Sequence, residues 1–122
     1  MKNKLSILKL IMVYRNDNMV LEYIHMTLDS MSKYIYIVNQ QCNYINVYQN
    51  RIAADEFRSV IMDLDKQRRT CHNSVINGIK KINSLCRKNN IPEFYDGNEN
   101  DRIAIGDFCM NIVANTFKNR KK

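Results

Sequence analysis

The hydrophobic positions of this chain recur at helical spacing almost from end to end. The clearest tract is Leu21, Ile24, Leu28, Met31, Ile35, Val38, Cys42 and Ile45. Its steps alternate between three and four residues over three heptads, the mark of a long helix with a narrow apolar seam. Strict alternation, which would favour a strand, is confined to residues 34–38. Asp17 or Asn18 offers a short side-chain oxygen to the free amides of a first turn, so the spacing predicts a helix over 18–49. A second seam reads Phe57, Ile61, Leu64, Arg68, Cys71, Val75, Gly78, Ile82 and Leu85, and predicts a helix over 53–89. Two of its members break the pattern. Gly78 costs about 1 kcal/mol against alanine inside a helix, which calls for close approach of a neighbouring backbone. Arg68 puts a cation where an apolar side chain is expected. Pro92 lies just past the predicted end, where a missing amide proton does least harm.

Asp96 and Gly97 mark a turn within a loop over 90–100. Asn100 or Asp101 then caps a third helix over 101–118, with Ile105, Phe108, Cys109, Ile112, Val113 and Phe117 on its apolar face. Leu5, Leu8 and Met12 are spaced for a short leading helix over 4–14. The expected fold is all-α: a single helical-bundle domain over 1–122, with three long helices and a short N-terminal one. Residues 1–17 are read as an N-terminal extension and 118–122 as a basic, frayed tail. The two longest helices would pair as an antiparallel hairpin joined near 50–53, with the third covering the groove. So thin a bundle leaves apolar surface free for self-association. Tyr23, Tyr34, Tyr44 and Tyr48 flank the first seam as edge residues, ring buried and hydroxyl wet. The sharper alternative, a base-stacking platform, is usually built on sheets.

Composition narrows the picture further. At 122 residues and 45% apolar, the chain is one domain with material for a core. Three Gly, one Pro and no Trp argue against a turn-rich β-sandwich or barrel. Nineteen Lys and Arg against twelve Asp and Glu give a net charge of +7, which attracts polyanions without proving that any is bound. Cys42, Cys71, Cys86 and Cys109 form no Cys-x-x-Cys pair, and His25 and His72 do not complete a zinc site by spacing. All four cysteines fall on apolar helical positions, so the expectation is reduced core thiols in a cytoplasmic protein, with no metal and no cofactor. The opening stretch is basic and then apolar, but Lys9 interrupts it and no small-residue cleavage site follows. The run over 5–14 is about half of what a bilayer span requires, so no membrane association is expected.

One constellation carries chemistry. Asp65, Arg68, Arg69, His72 and Asn73 lie within about two helical turns, where residues three and four apart meet. Asp107 on the third helix is a further carboxylate for the same group. The structural reading is a polar core layer in which Asp65 neutralises an arginine while His72 and Asn73 bond to a neighbouring helix, fixing register. The catalytic reading is a metal-independent ribonuclease, with arginine on a phosphate and His72 as general acid or base. Helical ribonucleases of the HEPN superfamily carry an Arg followed after four to six residues by His. Arg68 and His72 have three between them, the wrong spacing. The electrostatic reading rests on residues 66–92, which hold seven Lys or Arg and no acid. A nucleic acid could track the face formed by Lys66, Arg69, Lys80, Lys81, Arg87 and Lys88 together with the intervening amides. The plainer alternative is a solvated face opposite the seam.

Several segments resemble one family. They are Tyr48 to Arg51, Phe57-Arg58, the stretch from Leu64 to Ile76, Asn89 to Pro92, and Asp101 to Phe108. Together they are similar to short proteins of Gram-positive bacteria known only as a domain of unknown function. That family has an Asp-x-x-Arg-Arg-x-x-His-Asn core, a Pro-containing loop and an Asp-Arg-x-x-x-x-Asp-Phe helix. The resemblance covers roughly 20–120 and leaves 1–18 outside, and Cys71 and Ser74 stand where alanine is expected. It implies a bacterial, soluble, helical protein and no particular activity. It singles out Arg69, His72, Asn73, Arg102 and Asp107. The expected function is a non-enzymatic, cytoplasmic interaction or regulatory protein that self-associates or binds an unidentified protein. The alternatives are a nucleic-acid-binding accessory protein and, third, the ribonuclease.

Overall fold

A computed structural model describes residues 2–120, with side-chain surroundings for 5–113; the expected basic tail over 118–122 and Phe117 lie outside those described side chains. The described residues form an all-helical fold with four helices: α1 (Lys2–Val13), α2 (Asn18–Tyr48), α3 (Ala54–Lys88) and α4 (Arg102–Arg120). No strand occurs among the described residues.

The helix ends follow from local chemistry. Asp17 caps α2 by accepting from the Val20 amide at 3.2 Å. Asp101 rather than Asn100 caps α4, accepting from the Ala104 amide at 3.1 Å. Ala53 gives α3 no side-chain cap, but Asp55 and Glu56 in its first turn and Arg87 and Lys88 in its last oppose the helix dipole. Two asparagines do the work usually left to glycine. Asn50 and Asn90 both sit in the left-handed region, at φ 67 and 58. After Asn90 the Ile91 amide folds back onto the Cys86 carbonyl at 2.9 Å, while the Asn90 amide reaches Arg87 at 3.3 Å, so α3 closes in a Schellman turn.

α2 and α3 form an antiparallel hairpin. Thr27 meets Gly78, the Tyr34 ring lies 5.4 Å from His72, and the Tyr44 ring stacks on Phe57 at 5.7 Å. Gly78 is explained by a side chain rather than by a backbone. A Cβ there would overlap the Thr27 hydroxyl and stand 2.5 Å from its methyl. Thr27 is itself buried, its hydroxyl donating to the Tyr23 carbonyl at 3.0 Å. α4 begins beside the Tyr34–His72 level, since Gly106 lies against the Tyr34 ring. It then runs toward the end of α3, where Phe108 packs on Phe94 and Tyr95, each at 4.9 Å. α1 closes the same end, with Ile7 and Leu10 in the core and the Tyr14 hydroxyl accepting from Asn89 at 2.9 Å.

The result is uneven. All the buried core residues belong to one end of the hairpin, which we call the body: Ile24, Met31, Val75, Ile79, Ile82, Phe94 and Ile105 are among them. From 38 to 71 no residue is buried. This second part, the arm, is two helices and the turn between them.

Four expectations about packing need correction. Leu5, Leu8 and Met12 are more than half exposed, and α1 buries Ser6, Ile7 and Leu10 instead. The helix is apolar on both sides, so periodicity alone could not choose. Tyr34 is a core residue at 8% exposure, not an edge one, because α3 and α4 both close on it. Cys42 is exposed and Cys71 half-buried, while Cys86 and Cys109 are core as expected; all four thiols are free. Cys42 follows Leu21, Leu28 and Ile35 at heptad steps, but it lies beyond the level at which α4 begins.

Candidate functional site

The polar cluster assembles where the body gives way to the arm. On α3, the Asp65 carboxylate bridges two guanidinium groups. Arg68 donates to Oδ1 through Nε at 3.0 Å and through its terminal nitrogen at 2.9 Å, and Arg69 meets Oδ2 through Nε at 3.2 Å. Burial pulls the Arg68 pKa down, yet the hydrogen bond and charge of Asp65, aided by the Tyr34 hydroxyl, hold it above its ordinary value. Arg68 thus completes its seam position by neutralisation rather than by being apolar.

One turn on, His72 is 4% exposed. Tyr34 lies against its ring, and its Nε2 is buried with no hydrogen-bond partner. Burial, reinforced by the positive charges of Arg102 on α4 and of Arg68, holds this imidazole below its ordinary pKa. At neutral pH the ring is uncharged.

The other expected members do not join. Arg69 is 63% exposed and touches the cluster only through Asp65. Asn73 and Asp107 are both exposed, and neither is a core residue. Asn73 follows His72 by one position, so a helix turns it about 100° away, toward solvent. Asp107 projects from α4 on a side that the packing of Ile105 and Cys109 leaves outward. From α4 it is the charge of Arg102, itself an exposed residue, that acts on His72.

A second polar site went unread in the sequence. Asn83 is fully buried and grips the loop backbone from both sides, donating to the Tyr95 carbonyl at 2.8 Å and accepting from the Tyr95 amide at 3.1 Å. The Tyr95 hydroxyl donates to the Asn98 carbonyl at 3.1 Å, so the loop is laced to itself and to α3. Spacing could have found this residue, for Asn83 stands between Ile79, Ile82 and Cys86 on the core side of α3.

The basic face is as exposed as expected: Lys66, Arg69, Lys80, Lys81, Arg87 and Lys88 all lie in solvent. Two of these cations are engaged, Arg69 by Asp65 and Arg87 by Glu93 at 3.3 Å. A hollow of about 230 Å³ opens beside Gly78, lined by Tyr23, Met26, Ser30, Ser74 and Asn77, with no ionisable acid or base among its lining residues except the tyrosine. His72 lines neither this hollow nor the two larger depressions on the arm and on α2. Among the described residues no three His, Cys, Asp or Glu side chains gather to ligate a metal, and no helix is long and apolar enough to cross a membrane.

Residues 3–122 match the model of a protein family described as a protein of unknown function, DUF3232. The match takes in α1, so the expectation that 1–18 lies outside the family is corrected. No curated protein and no solved structure matches the chain.

Proposed function

Since the chain belongs to the DUF3232 family, whose description assigns no activity, we propose that it is a non-enzymatic, cytosolic interaction or regulatory protein. Its polar cluster would act as an interhelical lock through Tyr34 of α2, whose ring lies against His72 and whose hydroxyl bonds to Arg68, and not through the hydrogen bonds to a neighbouring helix expected of His72 and Asn73: Nε2 of His72 has no partner and Asn73 is exposed. One observation carries this reading: the His72 imidazole is buried against Tyr34, with Nε2 shut off from solvent. A general acid or base has to come within hydrogen-bond reach of the proton it moves. A polar layer that fixes the register of helices needs no such access. The free thiols of Cys86 and Cys109, buried in the core, support a reducing compartment.

The test is His72→Ala assayed two ways. Loss of melting temperature, with single-stranded RNA left intact by wild type and variant alike, supports the lock. RNA cleavage by the wild type that disappears in a variant of unchanged melting temperature overturns it in favour of the ribonuclease.

A second reading is favoured by Lys66, Lys80, Lys81 and Lys88. They lie along one exposed face of α3 within a stretch, 66–92, that holds no acid. A row of this kind spans roughly 33 Å of helix at 1.5 Å per residue, enough to follow a phosphate backbone. Retention on heparin that collapses with modest salt, and weakened RNA binding in Lys80→Glu, would support it. No shift of RNA or DNA at low salt would remove it.

A further inference from the structure

The hollow beside Gly78 and the lysine row of α3 are neighbours. Asn77 lines the hollow, and Lys80 and Lys81 follow it by three and four positions, one turn along the same surface. All three are exposed. The hollow forms where Thr27 of α2 meets a residue of α3 that has no side chain. Tyr23 and Met26 supply apolar surface, and Ser30, Ser74 and Asn77 supply hydroxyls and an amide. The Ser74 hydroxyl donates to the Thr70 carbonyl at 3.2 Å, which leaves its lone pairs to accept, while the Asn77 amide both donates and accepts. At about 230 Å³ the volume falls below the roughly 300–1,000 Å³ of sites for drug-sized ligands, so it takes one ring system and no more.

The charges around the hollow are one-sided. On α3, residues 66–92 hold seven cations and no acid. On α2, Glu22 and Asp29 each precede a lining residue by one position and so are turned about 100° from it. Asp29 is itself engaged by His25 at 3.4 Å. The acidic loop reaches α3 through Glu99 on Asn83 and Glu93 on Arg87. Those two positions stand about 160° and 120° around the helix from Lys81, on another flank. An anion at the rim of the hollow is therefore drawn to α3.

We infer that the hollow receives one base of a single-stranded nucleic acid, stacked on Tyr23, while the sugar–phosphate chain lies along the lysines of α3. This rests on the reading of those lysines as a phosphate track, and it adds which form of nucleic acid they take. Lysines alone hold single and double strands alike. A base inside a duplex is paired and stacked, and cannot enter a hollow without first being pulled out. An unpaired base has a free face for the aromatic ring and a free edge for the amide and hydroxyls. Other places on the surface offer less. The Tyr44 ring is already packed against both Tyr48 and Phe57, and the charge of Glu56 acts on it. The larger depression on α2 includes Asp29 as well as Lys33, and all its lining residues belong to one helix.

The test is fluorescence anisotropy of a labelled oligouridylate, alone and paired with oligoadenylate, titrated with the full chain at low salt. The single strand is expected to bind more tightly than the duplex. Tyr23→Ala should weaken the single strand on the order of tenfold and leave the duplex unchanged, whereas Tyr23→Phe keeps the ring and should bind as the wild type does. Ser74→Met is the second variant. It fills the hollow from an exposed position with a better helix former, so the fold survives, and it should act as Tyr23→Ala does. Tyr48→Ala on the arm should change nothing. Lys81→Ala should weaken both forms and lower the salt slope by about one. Equal affinity for the two forms, indifferent to Tyr23 and Ser74, overturns the base site and leaves the phosphate track standing. Uridine monophosphate that binds as tightly as the strand also overturns it, since the lysine row would then contribute nothing. Absence of binding by either form removes the track and the base site together, while the lock at His72 is untouched by any of these results.

Discussion

The body and the arm are made from the same two helices, yet only one of them has an interior. Around Val75, Ile79 and Ile82 the hairpin is closed by α1, α4 and the loop, and these residues are fully buried. Around Ile45, Phe57 and Leu64 the same seam pattern continues and nothing is buried. The difference is one of cover, not of composition along the seam. A seam on two helices is shielded on one flank at best, and burial in an all-helical protein comes from the third and fourth elements. The polar cluster sits at the boundary. It lies where α4 begins and where the interior stops being sealed.

Thiol labelling should show the contrast most strongly. Burial pushes Cys109 up to about 12, and Cys86 is likewise raised and wholly enclosed. Both should react with a maleimide only through unfolding, on the order of a thousandfold or more slower than Cys42 if the body opens only globally. Cys71 should fall between them. Comparable rates for Cys42 and Cys109 would mean that the body has no closed core.

Truncation in the core ranks next. Phe94→Ala should cost about 3–5 kcal/mol in denaturant unfolding, as large apolar groups in closed cores do. Leu64→Ala in the arm should cost about 1 kcal/mol, because its side chain is only partly buried. Equal losses would show that the arm is covered in solution, and a Leu64 loss that grows with protein concentration would be the sign of self-pairing.

Smaller than the Phe94 loss is that of Gly78→Ala. Its gain in helix propensity is outweighed by overlap with Thr27, for a net loss of about 1–3 kcal/mol. Thr27→Ala in the same chain should recover part of that loss. Additive effects would show that the two do not touch.

The smallest effect expected is that of pH. His72 is held below the ordinary imidazole pKa of 6.5, so just below that pH the unfolded chain binds a proton that the folded chain refuses. Its contribution to stability is therefore intact above 6.5. It declines as the pH falls from there toward the lower folded value. Replacement by glutamine should flatten the melting temperature over that window, and an unchanged slope would place the ring in water.

Much of this was legible in the residues. The four helices follow from spacing, and the caps at Asp17 and Asp101 from the short side chains that precede α2 and α4. The faces were harder. On α2 an apolar-only reading prefers Leu28 and Ile35, whereas the buried line runs through Thr27 and Tyr34, which a hydrogen bond and a ring contact make fit for an interior. On α1 apolar residues lie on two sides, Leu5, Leu8 and Met12 on one and Ile7, Leu10 and Ile11 on the other, and their spacing alone does not choose between them. Of the candidate site, the Asp65–Arg68–Arg69 pairing is helical arithmetic and could be read directly. The dependence on Arg102, the exposure of Asp107 and the end of cover at Cys42 depend on where α4 begins. A loop of a dozen residues does not fix that by its length.

The grip of Asn83 on both the amide and the carbonyl of residue 95 has a consequence for variation. At residue 95 the amide group recognises main chain, which every residue possesses, so this grip adds to the packing of Phe94 and Tyr95 without depending on which side chain stands at 95. The gripping position itself admits few residues. Aspartate has no hydrogen to give, leucine neither gives nor accepts, and glutamine is a methylene too long.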